Sequence, residues 1–214
     1  MQNSGLLIMP RHEKISSMND LKGKRVGIWK VGFGDYALMV DKEHNLEIEW
    51  IPFVQNINLF ISGVIDATLA MSYNEILQIR AAGYDISTAI SIADEGYDFP
   101  EDGLYVSEDY FRNNPQTVKA FADAPRKGWE WAQEHPEETL EIVMEKTHSN
   151  NIATNRTHQK WMLEEVLKLN KDTEIGTATY TLKSDQVRRL SDLLVKHGMI
   201  SKPVTYETIT GQTL

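Results

Sequence analysis

The chain has 214 residues, 41% of them hydrophobic, which is enough for one large domain or two small lobes with real cores. It carries 31 acidic against 22 basic side chains, a net charge of -9, and no Lys/Arg block, which argues against a nucleic-acid partner or an anionic membrane surface. It has no cysteines, so disulfides, thiolate metal sites and cysteine nucleophiles are excluded. Residues 1–10 lack a basic segment followed by a long apolar stretch, so we expect neither a secretory signal nor a membrane anchor in them.

Strand-like and helix-like apolar runs alternate over the first hundred residues, a rhythm typical of α/β folds. The glycines and asparagines between these runs are the residues that end or cap such elements. The predicted strands are 6–9, 25–29, 46–53, 66–71, 86–92 and 104–107, and the predicted helices are 36–44, 59–62 and 76–82.

Amphipathic helical spacing takes over from residue 115 almost to the end of the chain. Pro115 stands near the start of the first of these helices, a position that proline favours, and Pro125 should kink the same helix. Further helices are predicted over 137–146, 158–169 and 184–197. The change from alternating strand-like and helix-like runs to helical spacing alone indicates a compositional boundary near residues 95–105.

Two segments have the composition of a ligand-binding turn. In Gly32-Phe33-Gly34-Asp35, glycines between a strand and a helix let the backbone approach a ligand, and the first N–H groups of the helix offer hydrogen-bond donors. An ordinary tight turn explains the same residues, and no Walker or dinucleotide fingerprint is present.

The second segment is Ser72-Tyr73-Asn74-Glu75, where a strand ends and a helix starts. Ligands collect at the carboxyl edge of the strands in open α/β sheets, although simple capping of the helix by Asn74 accounts for the pattern as well. Trp29 ends its strand beside the glycine turn, so its ring either stacks on a planar ligand or fills the core.

No residue pattern indicates catalysis or metal binding. The six histidines show no metal-ligand spacing, and no serine stands in a nucleophile elbow. We therefore expect no catalytic residue, no metal, no cofactor and no enzyme activity.

The segments MNDLKGKRVGIW, LFISGVIDATLAMSYNE and EDGLYVSEDYFRNNPQTVKAF, with GWEWAQEHPEETLEIV after them, occur in an order that is hard to obtain by accident. From about residue 15 to residue 200 the chain resembles the SsuA/THI5-like (NMT1-like) solute-binding family. That resemblance implies a type II periplasmic-binding-protein-like fold of two α/β lobes around a cleft. It further implies a second α/β lobe over 20–103, and a mostly helical, incomplete first lobe made of 1–19 with 104–214.

The resemblance also implies a ligand site in the cleft. The two segments singled out above from their composition both fall in it. The residues of the implied site are Trp29, Gly32, Phe33, Gly34, Asp35, Gln55, Asn56, Ser72, Tyr73, Asn74 and Tyr97.

Family members capture small molecules for ABC importers, so the resemblance implies a small-molecule ligand, an ABC permease as partner, and a periplasmic or membrane-tethered extracytoplasmic location. The first lobe looks N-terminally truncated relative to the family. A lobe without all its strands exposes apolar faces, so we expect homo-oligomers.

Two other functions stay open. One is a THI5-like pyrimidine synthase, which the absence of cysteine disfavours, and the other is a sensory module of the same fold. Ligand class is open among thiamine precursors, sulfonates and nitrate. Few lysine or arginine side chains fall at the expected site, and Lys30 is the nearest of them. The residues therefore favour a neutral or aromatic heterocycle stacked on Trp29, Phe33 or Tyr73.

Overall fold

A computed structural model describes residues 1–12, 14–30, 34–53, 57–171 and 178–211. The chain divides into two units. One is Asn3–Asp98, which holds the sheet, and the other joins Met1–Gln2 to Phe99–Leu214 and is helical. This mixture confirms the α/β class predicted from the sequence.

The Asn3–Asp98 unit, called the sheet unit below, is built on five strands in the order β3-β2-β4-β1-β5. β2 runs parallel to β3 and β4, whereas β1 runs antiparallel to β4 and β5. The strands are β1 Leu6–Pro10, β2 Arg25–Trp29, β3 Glu49–Phe53, β4 Ala67–Met71 and β5 Ile90–Ser91, and the helices are α1 Gly34–His44, α2 Asn58–Ile61 and α3 Glu75–Ala81.

β4 lies between β1 and β2, and all five of its residues are buried. A near-continuous apolar run such as ATLAM is what a strand covered on both faces requires. Asp66 fixes the entry to this strand, because its carboxylate accepts a 2.9 Å hydrogen bond from the backbone N–H of Arg25 and its own N–H donates to the carbonyl of Arg25 at 2.8 Å. The Gly63-x-x-Asp66 pattern is therefore structural, and Gly63 takes the positive φ of 77° that ends α2.

The remaining unit, called the helical unit below, holds α4 Glu108–Asn113, α5 Pro115–Glu134, α6 Pro136–Ser149, α7 Arg156–Leu169, α8 Ser184–Lys196 and α9 Tyr206–Thr210. Pro115 and Pro136 each begin a helix, where a proline loses no hydrogen bond. Of the 29 buried apolar side chains among the described residues, 25 lie in the sheet unit and only four in the helical unit. The helices therefore bury little of their apolar surface within the described chain.

Several boundaries differ from those predicted. Residues 3–19 belong to the sheet unit rather than with the C-terminal helices, because β1 pairs with β4 along its whole length. The units divide after Asp98 rather than after residue 103. The strand expected over 86–92 is reduced to Ile90–Ser91, and residues 104–107 form no strand.

Gly34→Ala should destabilise the protein by about 1 kcal/mol, since a Cβ there would lie 2.7 Å from Cδ1 of Ile28 and force that core side chain to move. Gly128, inside α5, has nothing within 4 Å of such a Cβ. Gly128→Ala should instead stabilise by about 0.5 to 1 kcal/mol, because alanine favours the helix. Urea denaturation of both variants checks the pair. A Gly34→Ala variant that loses no stability would contradict the close packing of α1 on β2.

Candidate ligand-binding edge of the sheet

The carboxyl ends of β2, β3 and β4 lie at one edge of the sheet, because the three strands are parallel and adjacent. The chain leaves β2 at Trp29 and enters α1 at Gly34, and it leaves β4 at Met71 and enters α3 at Glu75. Two strand-to-helix turns therefore meet at this edge, which is where ligands bind in open α/β sheets. Gly34 and Asp35 of the first sequence-predicted segment, and residues 72–75 of the second, follow strands that end at this edge, although the two segments are about forty residues apart in the chain.

Trp29 lies at the end of β2, directly opposite Phe53 at the end of β3. Their ring centroids are 5.5 Å apart with the planes tilted by 53°, and the N–H of Lys30 donates to the carbonyl of Phe53 at 3.0 Å. Phe53 is buried while Trp29 is only partly so. The indole thus packs against Phe53 and retains exposed surface, and its stacking on a ligand stays a prediction.

Gly34 and Asp35 form the first turn of α1, and Gly34 is buried against Ile28 while Asp35 is exposed. The close approach of the helix to β2 explains the glycine. Four other predicted contacts, Gly32, Phe33, Gln55 and Asn56, lie outside the described residues.

The turn after β4 is held by hydrogen bonds. The N–H of Ser72 donates to the carbonyl of Gly5 at 2.9 Å, which ties the turn to the start of β1. Asn74 is the N-cap of α3, as predicted, but its side chain does not cap a backbone N–H. Its Nδ2 donates to Oε1 of Glu75 at 2.9 Å, and its Oδ1 accepts from Nε2 of Gln78 at 3.0 Å. Ser72, Tyr73 and Asn74 are all half-buried.

Glu75 is the residue that sequence reasoning did not assign to the site. Its Oε2 accepts a 2.9 Å hydrogen bond from the N–H of Met71, the last residue of β4, while Oε1 accepts from Asn74. The signal for it is its position, because a glutamate in the first turn of a helix commonly reaches back to a free backbone N–H. Glu75 therefore holds the shape of the turn.

Two acidic residues stand at this edge, each in the first turn of a helix. Asp35 stands in the first turn of α1 and Glu75 in the first turn of α3. A helix N-terminus favours an anionic ligand, but a carboxylate already in the first turn satisfies that preference and repels a second anion. The described part of the edge is therefore better suited to a neutral ligand than to an anion.

Tyr97 lies away from the start of α1. It is buried, and its hydroxyl donates to Oε2 of Glu43 at 2.6 Å. Burial, with the adjacent Glu43 carboxylate, raises the pKa of the Tyr97 phenol. Glu43 follows Gly34 by nine residues, about 13 Å along the helix axis. A ligand contact by Tyr97 stays a prediction.

Within the described ranges, His, Asp and Glu side chains form no group of three or more that could hold a metal ion. A separate search of the helices in those ranges finds none long and apolar enough to cross a membrane.

The sequence of the chain is similar to those of known proteins. The sequence model of the family "NMT1/THI5 like" matches residues 1–139, more than half of the chain. The riboflavin-binding protein RibY of Chloroflexus aurantiacus is 24% identical over 138 residues, which are 61% of this chain and 38% of RibY. The chain therefore spans about two fifths of that relative's length.

Solved structures share the fold at low identity. The periplasmic aliphatic sulphonate binding protein SsuA from Escherichia coli superposes with a TM-score of 0.62 and 12% identity, covering 95% of this chain and 64% of SsuA. The desulfurization enzyme DSZB superposes with a TM-score of 0.52 and 14% identity, covering 94% of this chain and 72% of the enzyme. These identities show the fold alone, and that fold is the two-lobe α/β fold of periplasmic binding proteins. With a family model matching most of its sequence and this fold throughout, the chain belongs to the NMT1/THI5-like family.

Proposed function

We propose that this chain is the solute-binding component of an ABC importer and that it holds a planar, neutral aromatic heterocycle at the carboxyl edge of β2, β3 and β4. The proposal rests on the parallel pairing of β2 and β4, because both strands end at the same edge of the sheet. The partly exposed Trp29 and the half-buried turn Ser72, Tyr73 and Asn74 stand at those two strand ends. An aromatic ring supplies stacking surface, and hydroxyl, phenol and amide groups supply orienting hydrogen bonds.

The carboxylates in the first turns of α1 and α3 support a neutral ligand over a sulfonate or nitrate. The name of RibY, a riboflavin-binding protein in this family, supports an isoalloxazine as the first heterocycle to test. Aminopyrimidine thiamine precursors come second, because they share the planar, uncharged ring. Gln55 and Asn56 belong to the proposed site as further amide donors and acceptors, with Gly32, Phe33, Gly34 and Asp35 around the turn after β2.

Binding without turnover is part of the proposal. The chain has no cysteine, which removes thiolate chemistry from the THI5-like alternative as well. The shared fold of DSZB keeps enzyme activity as the competing function, since that neighbour is described as a desulfurization enzyme. Incubation with ligand followed by chromatography separates the two, because a binding protein returns its ligand unchanged.

An extracytoplasmic location and an ABC permease partner follow from the same proposal. Both rest on family membership and on the periplasmic binding protein among the structural neighbours. Homo-oligomerisation is also proposed, on the ground that the helical unit leaves apolar side chains such as Phe121 exposed.

Riboflavin should bind to the chain with quenching of flavin fluorescence, and the same ligand should raise the melting temperature with dose. Trp29→Ala should weaken binding about tenfold or more, because stacking on the indole is lost. Trp50→Ala is the matched control. Trp50 is also half-buried, and its indole Nε1 donates to Asp41 at 2.8 Å, but it stands three residues before the end of β3.

The same binding measurement is made with an aminopyrimidine, an alkylsulfonate, taurine and nitrate. Binding of a sulfonate or nitrate in preference to the heterocycles would overturn the proposed ligand class while leaving solute capture intact. Equal losses in Trp29→Ala and Trp50→Ala would show that general destabilisation, not stacking, explains the effect.

A further inference from the structure

Three side chains form a chain of hydrogen bonds at the start of α3. Glu75 accepts from the backbone N–H of Met71 at 2.9 Å with Oε2, and from Nδ2 of Asn74 at 2.9 Å with Oε1. Oδ1 of Asn74 then accepts from Nε2 of Gln78 at 3.0 Å. All three side chains are half-buried. The chain of hydrogen bonds therefore runs from the last residue of β4 to the fourth residue of α3.

The carboxylate of Glu75 gives this chain of hydrogen bonds one direction. A carboxylate only accepts hydrogen bonds, whereas a side-chain amide has one end that donates and one that accepts. Asn74 must therefore turn its Nδ2 to Glu75 and its Oδ1 to Gln78. Gln78 must then turn its Nε2 to Asn74, which leaves Oε1 of Gln78 as the end of the chain. Glu75 thus decides the orientation of two amides, although it forms a hydrogen bond to only one of them.

Gln78, at the end of this chain, lies beside the candidate site. Asn74 and Gln78 are four residues apart, so they share one side of the first turn, and long side chains in a helix point back toward its N-terminus. The N-terminus of α3 follows β4 at the carboxyl edge of the sheet. The amide of Gln78 is one hydrogen bond away from Asn74. Gln78 is therefore a further polar side chain at this edge.

The backbone that carries these amides is held firmly. Met71 is buried, and so are Ile76 and Ile79 on the inner side of α3. The turn between them is tied to β1, because the N–H of Ser72 donates to the carbonyl of Gly5. An oriented amide on a fixed backbone discriminates between a donor and an acceptor on a ligand, since the wrong group leaves a half-buried amide unpaired.

We propose that Glu75 is a positioning residue for ligand specificity. It fixes the direction of the hydrogen bonds through Asn74 and Gln78, so that Oε1 of Gln78 accepts from an N–H or amino donor of the ligand. This inference deepens the function proposed above and rests on it. The ring N–H of an isoalloxazine and the amino group of an aminopyrimidine are donors of this kind. Glu75 acts through the two amides and does not itself contact the ligand.

Glu75→Gln should reverse the direction of the chain of hydrogen bonds. The new amide accepts from the N–H of Met71 with its oxygen, so its nitrogen donates to Asn74. Asn74 then accepts with Oδ1 and turns Nδ2 to Gln78, which accepts with Oε1 and turns Nε2 to the ligand. The end of the chain changes from an acceptor to a donor, although no residue that contacts the ligand is substituted.

The test measures the affinities of two matched pairs of ligands by isothermal titration calorimetry. Riboflavin is paired with riboflavin methylated at its ring N–H, and an aminopyrimidine with its methoxy analogue. The native chain should favour the ligand that carries the donor about tenfold in each pair, which is the effect of one hydrogen bond. Glu75→Gln should favour the methoxy analogue over the aminopyrimidine and should lose the preference for unmethylated riboflavin.

Asp20→Asn is the matched control for the loss of a charge. Asp20 also stands in the first turn of a helical segment of the sheet unit, Met18–Leu21. Its Oδ2 accepts from the backbone N–H groups of Ser16 and Ser17 at 3.0 and 2.9 Å. This segment precedes β2, whereas the candidate site lies where β2 ends. Asp20→Asn should therefore leave the preference within each ligand pair unchanged.

Gln78→Met tests the end of the chain separately. It removes the amide of Gln78 and keeps the hydrogen bonds of Glu75 to Met71 and Asn74. The preference in both ligand pairs should disappear, because no oriented amide remains to meet the donor. Circular dichroism confirms that each variant is folded, and Gln78→Met keeps the inference testable if Glu75→Gln does not fold.

The outcomes separate this inference from the proposed function. If Glu75→Gln weakens the binding of all four ligands by the same factor, Glu75 only maintains the shape of the turn, and the inference is wrong while the proposed function stands. An unchanged preference in Gln78→Met would likewise contradict it. A native chain that binds none of these heterocycles would overturn the proposed function and the inference with it.

Discussion

Leu69→Ala should lower the free energy of unfolding of the sheet unit by about 3 kcal/mol, the cost of a cavity in a well-packed core. Leu69 is fully buried at the centre of β4, with β1 on one side and β2 on the other. Strands on both sides hold the backbone in place, so the site has little freedom to collapse into the space that the leucine leaves.

Leu140→Ala, in α6, makes the same chemical change at an equally buried residue of the helical unit. That unit has only three other buried apolar side chains among its described residues, namely Phe99, Ala132 and Val187. We expect a smaller loss, about 2 kcal/mol, because looser surroundings relax further. The unit starts from a small hydrophobic core, so even this loss should unfold much of it.

Urea denaturation followed by tryptophan fluorescence and circular dichroism checks both variants. Trp29 and Trp50 report on the sheet unit, and Trp129, Trp131 and Trp161 on the helical unit. We expect an early transition shifted only by Leu140→Ala and a later one shifted only by Leu69→Ala. Ile209→Ala, at an exposed position, should shift neither. Equal shifts of a single common transition would contradict the difference between the two cores.

The elements that the sequence predicted best are those whose local pattern and packing agree. β2 has the predicted bounds, and β4 and α1 differ from theirs by only one or two residues. An apolar run bounded by Gly23 on one side and a glycine turn on the other leaves few alternatives to a buried strand. The order of these elements carried the family resemblance, which the family model and the shared fold confirm.

What the sequence could not predict depends on pairing between distant residues. The run over 86–92 has the composition of a full strand, but only Ile90 and Ser91 form ladder pairs with β1, and Ile92 adds one backbone hydrogen bond to Leu6. The assignment of residues 3–19 failed for the same reason, since the pairing of β1 with β4 joins positions about sixty residues apart. Local composition does not encode such contacts.

The residues of the candidate site could be recognised from local sequence, but their arrangement could not. Trp29 and the turn at Ser72 could be singled out because aromatic and polar residues follow predicted strands. Their meeting at one edge required the parallel order of β2 and β4. The position of Glu75 in the first turn of α3 signals that it reaches back to a backbone N–H, but the identity of that partner, Met71, required the geometry of the turn.

Glu101→Gln should stabilise the helical unit by about 2 kcal/mol at about pH 8 and change little at about pH 4, because it removes a buried carboxyl that must ionise. Both carboxyl oxygens of Glu101 are buried with no hydrogen-bond partner among the described residues. Burial first, and then the Asp102 carboxylate, raise the Glu101 pKa from 4.5 to about 7, against a smaller opposing effect of the Met1 amine.

The sign follows from proton binding. The folded protein keeps the Glu101 proton up to about pH 7, whereas the unfolded chain releases it near its ordinary pKa of 4.5. Stability therefore falls as pH rises between these values and levels off above them. The glutamine variant should lose this slope, and the full shift overstates the effect because the side chain stays partly exposed and solvent screens it.

Urea denaturation of the helical unit at several pH values measures the slope. Glu134→Gln is the matched control, since Glu134 is an exposed residue at the end of α5 in the same unit. It should leave the pH dependence of the native chain intact. Parallel curves for the native chain and Glu101→Gln would mean that the carboxyl at residue 101 ionises without cost, and its burial would then have no effect on folding. If the pH dependence of stability is lost in Glu101→Gln and kept in Glu134→Gln, it arises from one buried acid of the helical unit. That acid lies seven residues before α4 begins.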